Sequence, residues 1–122
     1  MELTSFFNAK NIAIVGVSRN PNKIGHVIFR NLIDGDFNGN IFIVNPNVQS
    51  ILGYISYRNI SQIKDPIDLV VIAVPAKQAV KVVNECGRKK IKNIIMVSSG
   101  FRETGNIKLD NSLQKAIKKY KL

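Results

Sequence analysis

Short runs of branched apolar residues alternate along the chain with segments in which apolar residues recur every three or four positions. The runs Ile12 to Val15, Ile41 to Val44, Leu69 to Val74 and Ile94 to Ser98 predict strands buried on both faces, with a weaker strand at Tyr54 to Tyr57. Between them, Lys23 to Asp34 carries Ile24, Val27, Ile28 and Leu32 at helical spacing and stops at Asp34-Gly35-Asp36. A second helix, Ala76 to Lys90, sets Ala79, Val80, Val83 and Cys86 on one stripe with Gly87 near its end. A third, from about Leu109 to Tyr120, uses Leu113, Ala116, Ile117 and Tyr120. Strand, helix and strand in this order predict an α/β, Rossmann-like doubly wound parallel sheet with right-handed crossovers. The 122 residues suffice for one such domain and no second core. A helix of this type is expected to lead into another strand, so the end at Tyr120-Lys121-Leu122 reads as a C-terminal truncation.

Composition changes this picture in three ways. No apolar run approaches the roughly 20 residues that cross a bilayer, and MELTSFFNAK lacks the basic and apolar regions of a secretory leader, so no membrane role and a cytoplasmic location are expected. The single cysteine, Cys86, has no partner for a disulfide or a structural zinc and is expected in the core. The net charge of +10 calls for an anionic partner or a solvated basic face. Much of it lies in Arg88, Lys89, Lys90 and Lys92 and in Lys115, Lys118, Lys119 and Lys121, at helix ends where cations complement the dipole. Neither group is interleaved with aromatics able to stack on bases, which argues against nucleic acid.

Ligands of open parallel sheets bind at the carboxyl ends of the strands, where the winding reverses. The first such loop sits in NIAIVGVSRNPNKIG, residues 11–25. It keeps a glycine after the strand, Gly16, but lacks the inner glycines of a GxGxxG dinucleotide turn and reaches Gly25 only after a longer, charged stretch. Gly16 permits a tight turn; Ser18 and Asn20 can donate to phosphate oxygens; Arg19 and Lys23 add charge in front of a helix N-terminus that favours anions. Gly25, in the helix's first turn, permits close approach to strand or ligand. After the second strand, Asn45-Pro46-Asn47 offers neither the acid that binds the ribose diol of NAD nor an arginine for NADP. A ribose carrying a 3′-phosphate has no intact diol, so coenzyme A suits this turn better. Val74-Pro75, where the Leu69 to Val74 run ends, and Val97-Ser98-Ser99-Gly100, where the Ile94 to Ser98 run ends, lie where a pantetheine arm could pass, with Gly100 leaving space. Asp65 and Asp68 around Pro66 read as a polar lead-in to a strand. Asp68, Glu85 and Glu103 form no carboxylate pair, and His26 reads as a structural histidine or one beside the ligand loop.

Together, FFNAKNIAIVGVSRNPNKIG, IFIVNPN, ISQIKDPIDLVVIAVPAK and NIIMVSSGFRETG closely resemble the N-terminal coenzyme A-binding domain of the ADP-forming acyl-CoA synthetases. They are more distantly similar to the alpha subunit of succinyl-CoA synthetase. The likeness runs from Phe6 to Gly105 in order and spacing. It implies a Rossmann-like domain that holds coenzyme A and positions its thiol for attack on an acyl phosphate, with the remaining domains or subunits of the enzyme as partners. It also implies contacts from Ser18, Arg19, Asn20 and Lys23, from Asn45-Pro46 and from Val97-Ser98-Ser99. The family often has lysine where this chain has Asn47, and passes a phosphoryl group through a histidine of a later domain, a motif His26 does not match. The alternative is a stand-alone regulatory protein binding NAD(P) or another nucleotide with the same fold.

Overall fold

The computed structural model describes residues 9–35, 37–91 and 93–97. In chain order these form β1 (Asn11–Val15), α1 (Ile24–Asp34), β2 (Asn40–Val44), β3 (Ser50–Ile51), β4 (Tyr54–Tyr57), a short 3-10 turn (Ile60–Gln62), β5 (Leu69–Ile72), α2 (Ala76–Arg88) and β6 (Ile94–Met96). The third helix expected from the sequence lies outside the described residues, as do Ser98, Ser99 and Gly100.

The six strands form one sheet in the order β3-β4-β2-β1-β5-β6. β1 is central: Ile12 to Val15 pair with Ile41 to Val44 on one side and with Leu69 to Ile72 on the other, all parallel. Alternate residues of β1 face opposite layers. Ile12 and Ile14 pack with Ile43, Leu69, Val71 and the α1 residue Phe29, whereas Ala13 and Val15 pack with Val70, Ile72 and the α2 residues Ala79, Val83 and Cys86. One helix on each face is the doubly wound arrangement, and it explains why the strands read as continuous apolar runs. The winding reverses between β1 and β5.

Several details depart from the sequence reading. The sheet is mixed rather than wholly parallel, because β3 joins β4 as an antiparallel hairpin, Ser50 opposite Ile55. Its turn has Leu52 at φ 51° and Gly53 at φ 83°, the two left-handed residues of a type I′ turn. β5 stops at Ile72 rather than Val74, since the chain bends into α2 ahead of Pro75. α2 stops at Arg88 rather than Lys90. Lys90 adopts φ 62°, and the Lys90 and Ile91 amides donate back to the Gly87 and Cys86 carbonyls. This is a Schellman ending with lysine where glycine is usual. Ile91 is buried beneath it.

The buried stripe of α1 is also rotated from the expected one. Ile24 is 51% exposed and Val27 is exposed, while Gly25, His26 and Phe29 are buried, with Ile28 and Leu32 packed at the margin. The cause lies at Gly25. A Cβ there would stand 2.4 Å from the Gly16 carbonyl oxygen, so the first turn of α1 lies directly on the end of β1 and turns this side inward. Gly16, at φ +100°, is equally confined, with Ala73 O 2.4 Å from where its Cβ would be.

Polar groups fasten the amino edge. Asp68 Oδ2 accepts from the Lys10 and Asn11 amides, both at 2.9 Å, tying the start of β1 to the lead-in of β5. Lys89, counted above with a basic face, instead donates its ammonium to the carbonyls of Ile60 and Ile63 and holds the 3-10 turn against α2. Cys86 is buried, as expected. Burial, reinforced by the neighbouring Glu85 charge, pushes its thiol from 9.0 up to about 12.

Three outcomes follow from this packing. Leu52→Asn and Lys90→Gly should each raise stability by about 0.5–1 kcal/mol by relieving left-handed strain, read as a higher urea midpoint; an unchanged or lower midpoint in both would refute the strain. Gly25→Ala should lose about 1–3 kcal/mol in the same assay, the clash being with backbone that cannot rotate away. The raised thiol pKa means the unfolded chain releases a proton that the folded chain retains. Its stabilisation is complete below pH 9 and is lost as pH rises toward 12. Cys86→Ala should therefore flatten the decline in stability above pH 9, and an identical decline in both proteins would contradict the assignment.

Candidate functional site

A cavity of about 810 Å³ opens at the carboxyl ends of β1, β2 and β5, beside the reversal of winding. The β1–α1 loop supplies Gly16, Ser18 and Lys23, and the first turn of α1 supplies Gly25; the turn after β2 supplies Asn45, Pro46 and Asn47; Val74 and Pro75 follow β5, and Val97 follows β6. These sequence-expected residues therefore converge on one space. Arg19 and Asn20, also expected, are not in its lining. The Arg19 guanidinium donates to the Ser50 carbonyl at 3.1 Å and ties the loop to the edge hairpin. Asn20 is used within the loop: its amide donates to Ser18 Oγ, and its Oδ1 accepts from the Asn22 amide, both at 3.0 Å.

These local bonds give the long loop a definite shape without inner glycines. Ser18 Oγ accepts from Asn20 and keeps its own proton to donate toward the cavity. His26 Nδ1 lies 2.5 Å from the Ser18 carbonyl, and because a carbonyl only accepts, Nδ1 carries the hydrogen. His26 is 5% exposed, and its Nε2 has no partner among the described residues. His26 is thus a buried prop beneath the loop. Asn45 is a second prop. Its Nδ2 donates to the Val17 carbonyl and its Oδ1 accepts from the Asn47 amide, both at 2.8 Å, while Ser56 Oγ donates to its carbonyl at 2.9 Å. Asn45 joins the loops after β1 and β2, using both ends of its side-chain amide.

Electrostatically the mouth favours anions. Both α1 and α2 begin at the cavity, and neither has a side-chain cap or an acid in its first turn, so the free amides and positive dipole ends face the opening. Lys23, Arg58 and Lys81 add three cations to the lining, against one carboxylate, Glu85.

Arg58, Gln78, Lys81 and Glu85 were not among the residues expected from sequence. Arg58 is the first residue after β4. Because Val44 pairs with Tyr57, Arg58 falls beside the Asn45 turn, a place the weakness of the Tyr54 to Tyr57 pattern obscured. Gln78, Lys81 and Glu85 recur at intervals of three and four on α2, a polar stripe next to the apolar one, which reads from sequence as an ordinary solvent face. Glu85 is only 8% exposed and accepts from Ser61 Oγ at 3.3 Å. Among the described residues no group of three or more His, Cys, Asp or Glu side chains could hold a metal, and no helix is long and apolar enough to cross a membrane.

Comparison with known proteins points to one group. The acetate–CoA ligase (ADP-forming) of Methanocaldococcus jannaschii is 38% identical over 99% of this chain and 17% of its own length. The alpha subunit of the corresponding ligase I of Pyrococcus furiosus is 37% identical over 98% of this chain and 27% of its own. Acetyl-coenzyme A synthetase 1 of Ca. Korarchaeum cryptofilum, solved with phosphate and ADP, superposes with a TM-score of 0.88 at 35% identity, over 98% of this chain and 26% of that one. The chain thus spans about a quarter or less of these relatives. The family model described as CoA binding domain matches residues 10–121, and with the fold and the cavity in agreement, this chain belongs to that CoA-binding domain family.

Proposed function

We propose that this chain is the coenzyme A-binding module of an ADP-forming acyl-CoA synthetase acting on acetate or another acid, working with the enzyme's remaining domains or subunits in the cytoplasm. The observation that carries the reading is the convergence of two uncapped helix N-termini and three cations on a cavity whose β2 turn has no acid for a ribose diol. A phosphate-rich ligand without an intact diol matches both features.

When bound, coenzyme A supplies the thiol nucleophile of acyl transfer. The chain's own part is to bind and orient. The free amides at the start of α1, the Ser18 hydroxyl and the Lys23 ammonium would hold the diphosphate, with Gly16 and Gly25 keeping the backbone low enough for its approach. Asn45, Pro46 and Asn47 would bound the ribose side, and Arg58 would supply the charge that Asn47 lacks. Val74, Pro75 and Val97, continuing into Ser98, Ser99 and Gly100, would guide the pantetheine arm. Arg19 and Asn20 would act by shaping the loop rather than by touching the ligand. His26 would not carry a phosphoryl group, since its ring is buried and Nδ1 is engaged with Ser18.

The NAD(P) alternative is disfavoured because the turn after β2, Asn45-Pro46-Asn47, offers no carboxylate for a ribose diol and no arginine for a 2′-phosphate. Calorimetric titration of the purified protein with coenzyme A, its 3′-dephospho form and NAD tests the proposal. Coenzyme A should bind tightest, removal of the 3′-phosphate should weaken it about tenfold, and Lys23→Ala should weaken it by a similar factor, as expected for loss of one charge-assisted contact. Equal, weak heats from all three ligands would overturn it.

A further inference from the structure

The cations of the described loops and helices are of two kinds. Arg19 and Lys89 are spent on the protein itself, the first on the Ser50 carbonyl and the second on the carbonyls of Ile60 and Ile63. Lys23, Arg58 and Lys81 line the cavity instead, and among the described residues their side chains have no hydrogen-bond or ion-pair partner; the ion pair found there joins Arg30 and Asp34. The fold keeps these three apart. Lys23 stands at the start of α1, over the end of β1. Arg58 follows β4, whose Tyr57 pairs with Val44 of β2, and the Asn45 amide extends that ladder to the Tyr57 carbonyl at 2.9 Å. Because β4, β2 and β1 are neighbours in that order, Arg58 leaves the sheet two strand spacings, about 9.6 Å, from where Gly16 leaves β1. Its backbone is held there: the Arg58 amide donates to Gln62 Oε1 at 2.9 Å, and the Gln62 amide donates to Asn59 Oδ1 at 3.0 Å. Lys81 comes from the second turn of α2, the helix to which Ser61 of the 3-10 turn is bonded through Glu85. Glu85 is buried and forms no ion pair with Lys81 among the described residues.

One cluster of cations suits one phosphate group, whereas two clusters on either side of a neutral turn suit a ligand phosphorylated at two places. We propose that Arg58, together with Lys81, forms a second anion subsite that takes the 3′-phosphate of the ligand's ribose, separate from the subsite at Lys23 and the start of α1 that takes the diphosphate. The inference rests on the coenzyme A reading and adds to it the residues that determine specificity for the 3′-phosphate. Asn45 and Pro46, at the end of β2, lie between the two subsites, where the ribose that links both phosphates would sit. The turn Asn45-Pro46-Asn47 carries no charge of its own, so selectivity for a phosphate there falls to its neighbours. The chemistry of each subsite also fits its phosphate. A terminal monoester carries close to two negative charges and presents three acceptor oxygens, which the forked guanidinium of Arg58 can meet with parallel donors. The diphosphate has a substituent at each end and is met at α1 by backbone amides and one ammonium.

Calorimetric titration of coenzyme A and its 3′-dephospho form, on the unaltered protein and on single variants, separates the subsites. Lys23→Ala should weaken both ligands alike and leave their affinity ratio near that of the unaltered protein, about tenfold. Arg58→Ala should weaken coenzyme A about tenfold and leave the dephospho form within about twofold, so that the ratio falls toward one. Arg58→Lys, which keeps the charge without the fork, should restore a ratio of about threefold or more. Lys81→Ala should lower the ratio by about threefold. The Arg58 side chain has no protein partner among the described residues, so its variants should unfold at the urea concentration of the unaltered protein, which separates a lost ligand contact from altered packing. An unchanged ratio in both Arg58→Ala and Lys81→Ala, or a ratio that falls as far in Lys23→Ala as in Arg58→Ala, overturns the inference, while 3′-phosphate-dependent binding by the unaltered protein leaves the functional reading standing. Absence of coenzyme A binding by the unaltered protein removes both.

Discussion

The contact on which the site depends is between two pieces of backbone. Gly25, at the start of α1, lies against the Gly16 carbonyl, and Gly16 in turn lies against the carbonyl of Ala73 after β5. No side chain fits at either place. This stack draws the N-terminus of α1 down onto the junction of β1 and β5, so that its free amides open into the cavity instead of into solvent above it. The same approach turns His26 inward, where its Nδ1 can support the Ser18 carbonyl, and lifts Ile24 outward. A longer loop without inner glycines can thus serve an anion, because the close approach that a dinucleotide turn obtains within the turn is obtained here between its two ends.

Much of the fold was legible because its strands are buried on both sides. Ile12 to Val15 and Leu69 to Ile72 have no polar alternation to confuse them with exposed strands, and the central pairings follow from their order. What escaped was controlled by tertiary contact or by unusual turn residues. β3 has two residues, too few for any periodic signal, and its turn uses Leu52 where asparagine would have announced a hairpin. Lys90 ends α2 in a conformation for which sequence would nominate Gly87, yet Gly87 is buried inside the helix. The apolar spacing of α1 suggested a stripe through Ile24 and Val27, but a helix rotates to satisfy its tightest contact, which is made by a residue with no side chain.

The site was legible in its loops and hidden in its helix. Loops after strands are few, and a rule of topology directs attention to them, so Gly16, Ser18, Lys23 and the Asn45 turn could be picked out in advance. Their internal commitments could not. Asn20 and Arg19 have the right chemistry for phosphate, but one closes the loop on itself and the other reaches the β3 carbonyl. Side chains of α2 were invisible because a stripe such as Gln78, Lys81 and Glu85 looks the same whether it faces water or a cavity. Only the 3-10 turn, which sets Ser61 and Ile60 opposite that stripe, makes it a wall.

The two helices meet the cavity with an unfilled electrostatic need. A helix usually satisfies its first amides with a serine, threonine, aspartate or asparagine cap, each contributing about 1 kcal/mol, or gains from an acid in the first turn. α1 and α2 have neither, and Lys23 stands at the cap position of α1 with a charge opposed to the dipole. Lys23, Arg58 and Lys81 also crowd like charges around one opening in a chain of net charge +10. An anion seated there would cap both helices and relieve the repulsion together, and so would complete a local structure that the protein leaves incomplete. By linkage, whatever stability these missing caps forgo would be returned as affinity for a ligand that interacts with the folded arrangement and not with the unfolded chain. The absence of caps is therefore better understood as part of the binding site than as a defect of the helices.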